Sequence, residues 1–287
     1  MKKIHLIACL GLAMASLTAH GCELVMGYRT SERMPYIHEA PDNSGLYFEL
    51  YQLAAQRLGC QLTVVREPKN RIMHGLTKGD IDFYPGLGFN EERQKIVHFI
   101  ANGLKERYVG IGREDAPSIT RLDDLVRHNM VLLRSLGGFD LGGLPPKLNI
   151  RQLMDMDIAK ALTLLQERKG DFFVYDEANL RYFLKQHPQP GLRLQTQCCE
   201  APHPMYLGFS RKSKHITEEA NPDFDPTKPL APENVPIRIQ ADSLAARFQT
   251  LLLQMEQEGL IEALGYHWFG SSPETAPPKE SPASGAS

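Results

Sequence analysis

The chain has 287 residues, with 32 Lys and Arg against 34 Asp and Glu, a formal net charge of −2 and a mean hydropathy of −0.31. That length gives room for two lobes of ordinary domain size. The even charge balance, with no clusters of Lys or Arg, argues against a nucleic-acid-binding surface.

Met1-Lys2-Lys3, an apolar run from Ile4 to Ala15, and Ala19-His20-Gly21 have the layout of a secretory signal peptide over residues 1–21. The run is too short to span a bilayer comfortably, so an exported mature chain is expected. Cys22, directly after Gly21, would also suit a lipoprotein anchor. Ala19 stands where a lipoprotein box prefers Leu, which favours ordinary cleavage after Gly21.

Leu24 to Gly27 reads as a first strand. Leu46 to Leu58 has helical spacing, with Leu46, Leu50, Leu53, Ala54 and Leu58 on one face, and Gly59 stops it. Leu62 to Val65 reads as a second strand. Cys22, Cys60, Cys198 and Cys199 remain after the leader, and an even count in an exported chain points to disulfides. Cys22 and Cys60 each open an apolar run. If those runs are neighbouring parallel strands, the two sulfurs start side by side, so a Cys22–Cys60 bridge is expected. The adjacent Cys198 and Cys199 either form a vicinal bridge or stay free. No His or Cys spacing resembles a zinc site, and neither a metal nor a cofactor is expected.

Arg71 to Leu76 reads as a short helix and Ile81 to Tyr84 as a third strand. The stretch from Gly79 to Phe99, GDIDFYPGLGFNEERQKIVHF, carries the most information. A buried strand runs into Gly86-Leu87-Gly88, then Asn90 is placed as an N-cap with Glu91 and Glu92 in the first turn. This layout offers backbone N–H groups to an anion, and Arg93 adds a fork suited to a carboxylate. The same residues would serve equally well as a plain strand–loop–helix connection with a surface arginine.

Lys105 to Gly112 is extended and leads into a second, similar unit. Leu122 to Val126 is a short helix, and Met130 to Leu133 is a strand followed by Ser135-Leu136-Gly137-Gly138. Ile158 to Glu167 is helical, Phe172 to Tyr175 a strand, Ala178 to Lys185 a helix, and Met205 to Ser210 again extended. Thr217 to Pro236, rich in proline and acids, reads as a surface insertion. The helices Ala241 to Glu258 and Ile261 to Trp268 follow, then a tail (271–287) of disordered composition. The alternation argues for an α/β architecture with mainly parallel sheets. Arg134 and Glu177 read as solvated charges, and His98, His128, His203 and His267 as structural.

Taken in order, these pieces resemble the solute-binding proteins of bacterial ABC importers, specifically the polar-amino-acid family with the type II periplasmic-binding-protein fold. Met34-Pro35-Tyr36, Ser44-Gly45-Leu46 and LYFELYQLAAQRLGC are similar to the family opening. GDIDFYPGLGFNEERQKIVHF resembles its signature, Gly-x-x-Asp, a small-residue turn, then Thr-x-x-Arg and a Phe. KGDFFVYDEANLRYFLKQ is similar to the second Gly-x-x-Asp segment, and YLGFSRKS with LLLQMEQEGLIEALGYHWFG to the return strand and terminal helices.

The resemblance implies two lobes, residues 22–107 with 205–270 and residues 108–204, joined by a two-strand hinge near Arg107 to Gly112 and Ala201 to Leu207. It implies a monomer in the periplasm that captures a small amino-acid-like ligand and hands it to the membrane permease of an ABC importer. Arg93 then corresponds to the residue that grips the ligand carboxylate, and Asp176 to the acid that takes the ammonium. Gly86 and Gly88 supply the turn, Ser135, Leu136 and Gly137 the anion loop of the second lobe, and Arg33 and Tyr36 the cover over the ligand side chain. Gly88 lacks the usual hydroxyl, Asn90 replaces the usual Thr, and Leu133 and Leu136 make the second-lobe wall more apolar than in relatives for charged amino acids. Two other functions occur on this fold: periplasmic cyclohexadienyl dehydratases, for which Glu177 would be the general acid, and ligand sensors.

Overall fold

A computed structural model describes residues 22–135, 143–154, 156–199 and 201–269. Residues 1–21, read above as a signal peptide, together with Leu136, Gly137 and residues 271–287, lie outside them.

The first lobe opens with β1 (Cys22–Arg29), α1 (Leu46–Arg57), β2 (Cys60–Glu67), α2 (Lys69–Lys78), β3 (Phe83–Pro85), α3 (Glu91–Gln94) and β4 (Val97–Glu106). The chain crosses at Arg107 into β5 (Tyr108–Arg113), α4 (Asp123–Arg127), β6 (Val131–Ser135), β7 (Asn149–Leu153), α5 (Ile158–Gln166), β8 (Phe172–Asp176), α6 (Glu177–Gln186) and β9 (Leu192–Gln195). It returns through β10 (His203–Ser210), a small hairpin of β11 (Glu218–Ala220) and β12 (Ile237–Ile239), then α7 (Leu244–Gln257) and α8 (Leu260–Phe269). One sheet has the order β2-β1-β3-β10-β4 and the other β7-β6-β8-β5-β9. In each, three neighbouring strands run parallel and the pairings made by the crossing strands β10 and β5 are antiparallel.

The central strands β1, β3 and β8 are covered on both faces, which explains their nearly unbroken apolar runs. Leu24, Met26, Phe83, Leu207 and Phe209 are buried with Leu50, Ala54, Phe248 and Leu252 from the covering helices. Burying each such large side chain contributes about 1.5–3 kcal/mol. In the second lobe, Val109, Leu133 and Phe173 pack on one core, and Tyr108, Leu132 and Phe172 on another.

The aspartates Asp82 and Asp171, each placed before a phenylalanine that enters a central strand, do the same job in both lobes. Asp82 accepts from the Val25 amide (2.7 Å) while its own amide donates to the Val25 carbonyl (2.9 Å). Asp171 does the same to Val131, at 2.9 Å in both directions. Each clasps the start of the strand to its neighbour and satisfies backbone groups beyond the ladder.

Parallel pairing of β1 and β2 puts Cys22 opposite Cys60, and the two form a disulfide. Cys198 and Cys199 are bridged as well, resolving the choice the sequence leaves open. Sequence periodicity does not reveal β7 or β9, and the segment read as an insertion, Thr217 to Pro236, carries β11, which pairs with β12 directly after it.

Candidate functional site

The carboxyl ends of the parallel strands in α/β sheets are where ligands collect, and here the two sheets bring theirs together. β1 ends at Arg29 and enters a loop whose tightest part is a turn from Arg33 to Ile37, closed by Arg33 N–H to Ile37 O (2.8 Å) and Tyr36 N–H to Arg33 O (2.8 Å). Gly45 is required beside it. Its φ of 137° is outside the ordinary range, and a Cβ there would lie 2.5 Å from the Tyr36 carbonyl oxygen. Arg66, from β2, ties the loop down by donating to the carbonyls of Arg29 (2.9 Å), Thr30 (3.1 Å), Ser31 (3.3 Å) and His38 (2.6 Å).

So held, the loop reaches the second lobe. Asp176 ends β8 and caps α6, its Oδ1 accepting from the Asn179 amide (3.0 Å). Its Oδ2 accepts from the Tyr36 hydroxyl (3.3 Å) and lies 3.9 Å from Arg33 Nη2. Arg33 Nε donates to Asn179 Oδ1 (3.0 Å), and Asn179 Nδ2 donates to the Met34 carbonyl. Glu106, at the end of β4, lies 3.8 Å from Arg33 Nη2, and the Arg33 guanidinium stacks 4.8 Å over the Tyr36 ring.

All of this is dry. Asp176 is 1 % exposed and Tyr36 2 %. Burial pushes the Asp176 carboxyl up to about 6, with Arg33 opposing and Glu106 adding to the rise. Burial also works against the Arg33 charge, but Tyr47, Tyr28, Asp176 and Tyr36 outweigh it and hold Arg33 protonated well above its ordinary range.

Gly86 and Gly88 follow β3. Gly86 sits at φ 65°, where a Cβ would collide with the Tyr47 hydroxyl and come within 3.4 Å of Arg33 Nη1. The Gly88 carbonyl accepts from Arg93 Nη1 (2.7 Å), which aims the guanidinium along the glycine loop. Asn90 caps α3 as its position predicts, its Oδ1 accepting from the Arg93 amide (2.8 Å). With only four residues in α3 and that amide already engaged, anion binding here depends on the Arg93 side chain and not on the helix end.

Arg33, Tyr36 and Asp176 are therefore in one cluster, Gly86 adjoins it, and Gly88 with Arg93 forms a second contact on the same lobe as Arg33. Ser135 ends β6 at the same end of its sheet as Asp176, one strand away. Three further cations and an acid at the site carry no motif: Arg29, Arg66, Lys69 and Glu106. Their only sequence signal is a charged residue at the point where an apolar run stops. Glu177 opens α6 with both carboxylate oxygens engaged. Its two oxygens accept from the guanidinium forks of Arg107 (2.7 Å at Nε) and Arg181 (2.8 Å at Nε).

The family model of bacterial extracellular solute-binding proteins, family 3, matches residues 24–271. No curated protein matches the chain by sequence. Among solved structures, the substrate-binding protein of an amino acid ABC transporter has 17 % identity and a TM-score of 0.59, over 87 % of this chain and 100 % of that one. An ancestral amino-acid-binding protein, a precursor of cyclohexadienyl dehydratase, has 18 % identity and a TM-score of 0.61, over 86 % and 95 %. A histidine kinase sensor domain has 18 % identity and a TM-score of 0.61, over 86 % and 96 %. At these identities the likeness establishes the two-lobed fold.

Proposed function

We propose that this chain, which belongs to the bacterial extracellular solute-binding proteins of family 3, captures a small amino-acid-like carboxylate between its lobes in the periplasm and delivers it to the permease of an ABC importer. The observation that carries the reading is the meeting of Arg33 and Tyr36 with Asp176 across the lobes, beside the glycine loop on which Arg93 is held. A solute entering there finds guanidinium donors already oriented, in a site where water is excluded and charge pairing is strong.

Residues 22–107 with 205–270 act as one rigid lobe and 108–204 as the other, and the crossings at Arg107 and before β10 act as hinges. The protein works as a monomer, without a metal or cofactor. The family and its structural neighbours are mostly binding proteins, and no helix among the described residues is long and apolar enough to cross a membrane. Binding without conversion is favoured over dehydration by the state of Glu177, whose oxygens are both occupied by arginines. A thermal-shift screen of amino acids and small carboxylates tests the reading. At least one class should raise the melting temperature in proportion to the logarithm of its concentration, as a ligand of the native state must. Prephenate should come back unchanged, and its conversion would instead identify an enzyme.

A further inference from the structure

The charges at the junction do not balance. Asp176 and Glu106, the two carboxylates that end β8 and β4 there, both face Arg33. Three more cations stand at the ends of neighbouring elements of the same lobe without a carboxylate partner among the described residues. Arg29 closes β1 with its Nε buried and lacking a hydrogen-bond partner among the described residues. Lys69 opens α2, and Arg93 has one nitrogen on the Gly88 carbonyl. None of the three forms an ion pair with a carboxylate among the described residues, whereas Arg33, Arg107, Arg113 and Arg181 all do.

They also act on one another. Lys69 has its ammonium lowered from its ordinary value, first by the protein packed around it and then by Arg93, Arg29 and Arg33. Tyr84 feels Arg29, Arg33 and Arg93 together. Holding like charges this close without an anion costs stability that a bound anion would return.

Resting on the binding reading above, we propose that the ligand is a small dicarboxylate-class dianion that carries no ammonium group. Arg93 and Arg29, on separate segments of the first lobe, each offer a fork to one acidic group, and Lys69 adds charge at the rim. An ammonium brought to the same place would meet Arg33, which already occupies both acids. The chain has thus internalised the cation that an amino-acid ligand would supply.

Calorimetric titration of the full exported chain with succinate, glutarate, glutamine and arginine tests this. Succinate or glutarate should bind at least about tenfold tighter than either amino acid. Lys69→Gln, at a side chain only partly covered by the protein, should weaken dicarboxylate binding by roughly tenfold, while the unliganded variant melts no lower than the unaltered chain because a like charge has been removed. Arg33→Ala, which frees Asp176 and Glu106, should shift the preference towards the amino acids. Amino acids that bind the unaltered chain as tightly as the dicarboxylates, or a Lys69→Gln variant of undiminished affinity, would overturn the proposal and leave the solute-binding reading standing. If neither dicarboxylate binds, the proposal falls, and if the wider thermal-shift screen also finds no ligand, the solute-binding reading falls with it.

Discussion

Arg33 and Asp176 lie 143 positions apart in the chain and 3.9 Å apart in the fold, one on each lobe. The pair is set beside the first crossing between the sheets. Tyr108 is paired with Asp176 in the second sheet, and the Glu177 amide donates to the Arg107 carbonyl (2.9 Å). A contact this near the crossing would persist through a rotation that separates more distant parts of the two lobes, so the proposed site adjoins the segment about which the lobes are proposed to turn.

The first prediction concerns pH. Burial raises Asp176 from the ordinary carboxylate range to about 6 in the folded protein, so the folded state holds that proton more tightly than the unfolded chain. The resulting stabilisation is fully present below the unfolded pKa of about 4 and is lost as pH rises through 6. Asp176→Asn keeps a side-chain cap for α6 and removes the titration. Relative to the unaltered protein, the variant should gain on the order of 2 kcal/mol of stability between pH 4 and pH 7. Urea unfolding at a series of pH values measures this, and parallel curves for the two proteins would refute it.

The second concerns the bridge between β1 and β2. Cys22 and Cys60 face one another at the first rung of a parallel ladder, 38 positions apart in the chain. Opening that loop by replacing both with Ser should cost about 2–5 kcal/mol. Non-reducing peptide mapping should recover Cys22 joined to Cys60, and a lipid on Cys22 would overturn both the bridge and the reading of residues 1–21 as an ordinary leader.

How much of this was legible in the sequence depends on the range of the interaction. Asn90 announces its capping role because a cap acts within three residues, here on Arg93. The start of two apolar runs is enough to bring Cys22 to Cys60. The partners of Arg33 are not visible, because nothing local to Met34-Pro35-Tyr36 indicates that a helix start more than a hundred residues later will meet it. Arg29 and Lys69 carry no signal for the same reason, since the end of a strand or the start of a helix looks alike whether it faces solvent or a second lobe. β7 escaped because Asn149 to Leu153 has neither an apolar run nor alternation, its strand being mostly exposed at a sheet edge.

The third prediction follows from the orientation of Arg93. Its guanidinium is held by a backbone carbonyl and not by an acid, so removing it leaves no carboxylate stranded in the protein. Arg93→Ala should keep the melting temperature of the unliganded chain close to its original value while losing about 2–5 kcal/mol of ligand binding. Calorimetry with whichever solute the screen identifies is the check. An undiminished affinity would remove Arg93 from the site.

The last concerns motion. The lobes are joined at Arg107 and at the segment before β10, and each has its own buried core, so rotation about those two segments leaves both interiors packed. A ligand drives such a rotation only if it binds the closed form better than the open one. Arg93 belongs to the first lobe and Ser135 to the second, so a solute that touches both sides meets this condition, and its contacts are complete only on closure. Small-angle scattering should therefore show a smaller radius of gyration when ligand is added, and mass spectrometry should recover that ligand unaltered. An unchanged radius at saturating ligand would show that the crossings are rigid and that binding takes place within a preformed site.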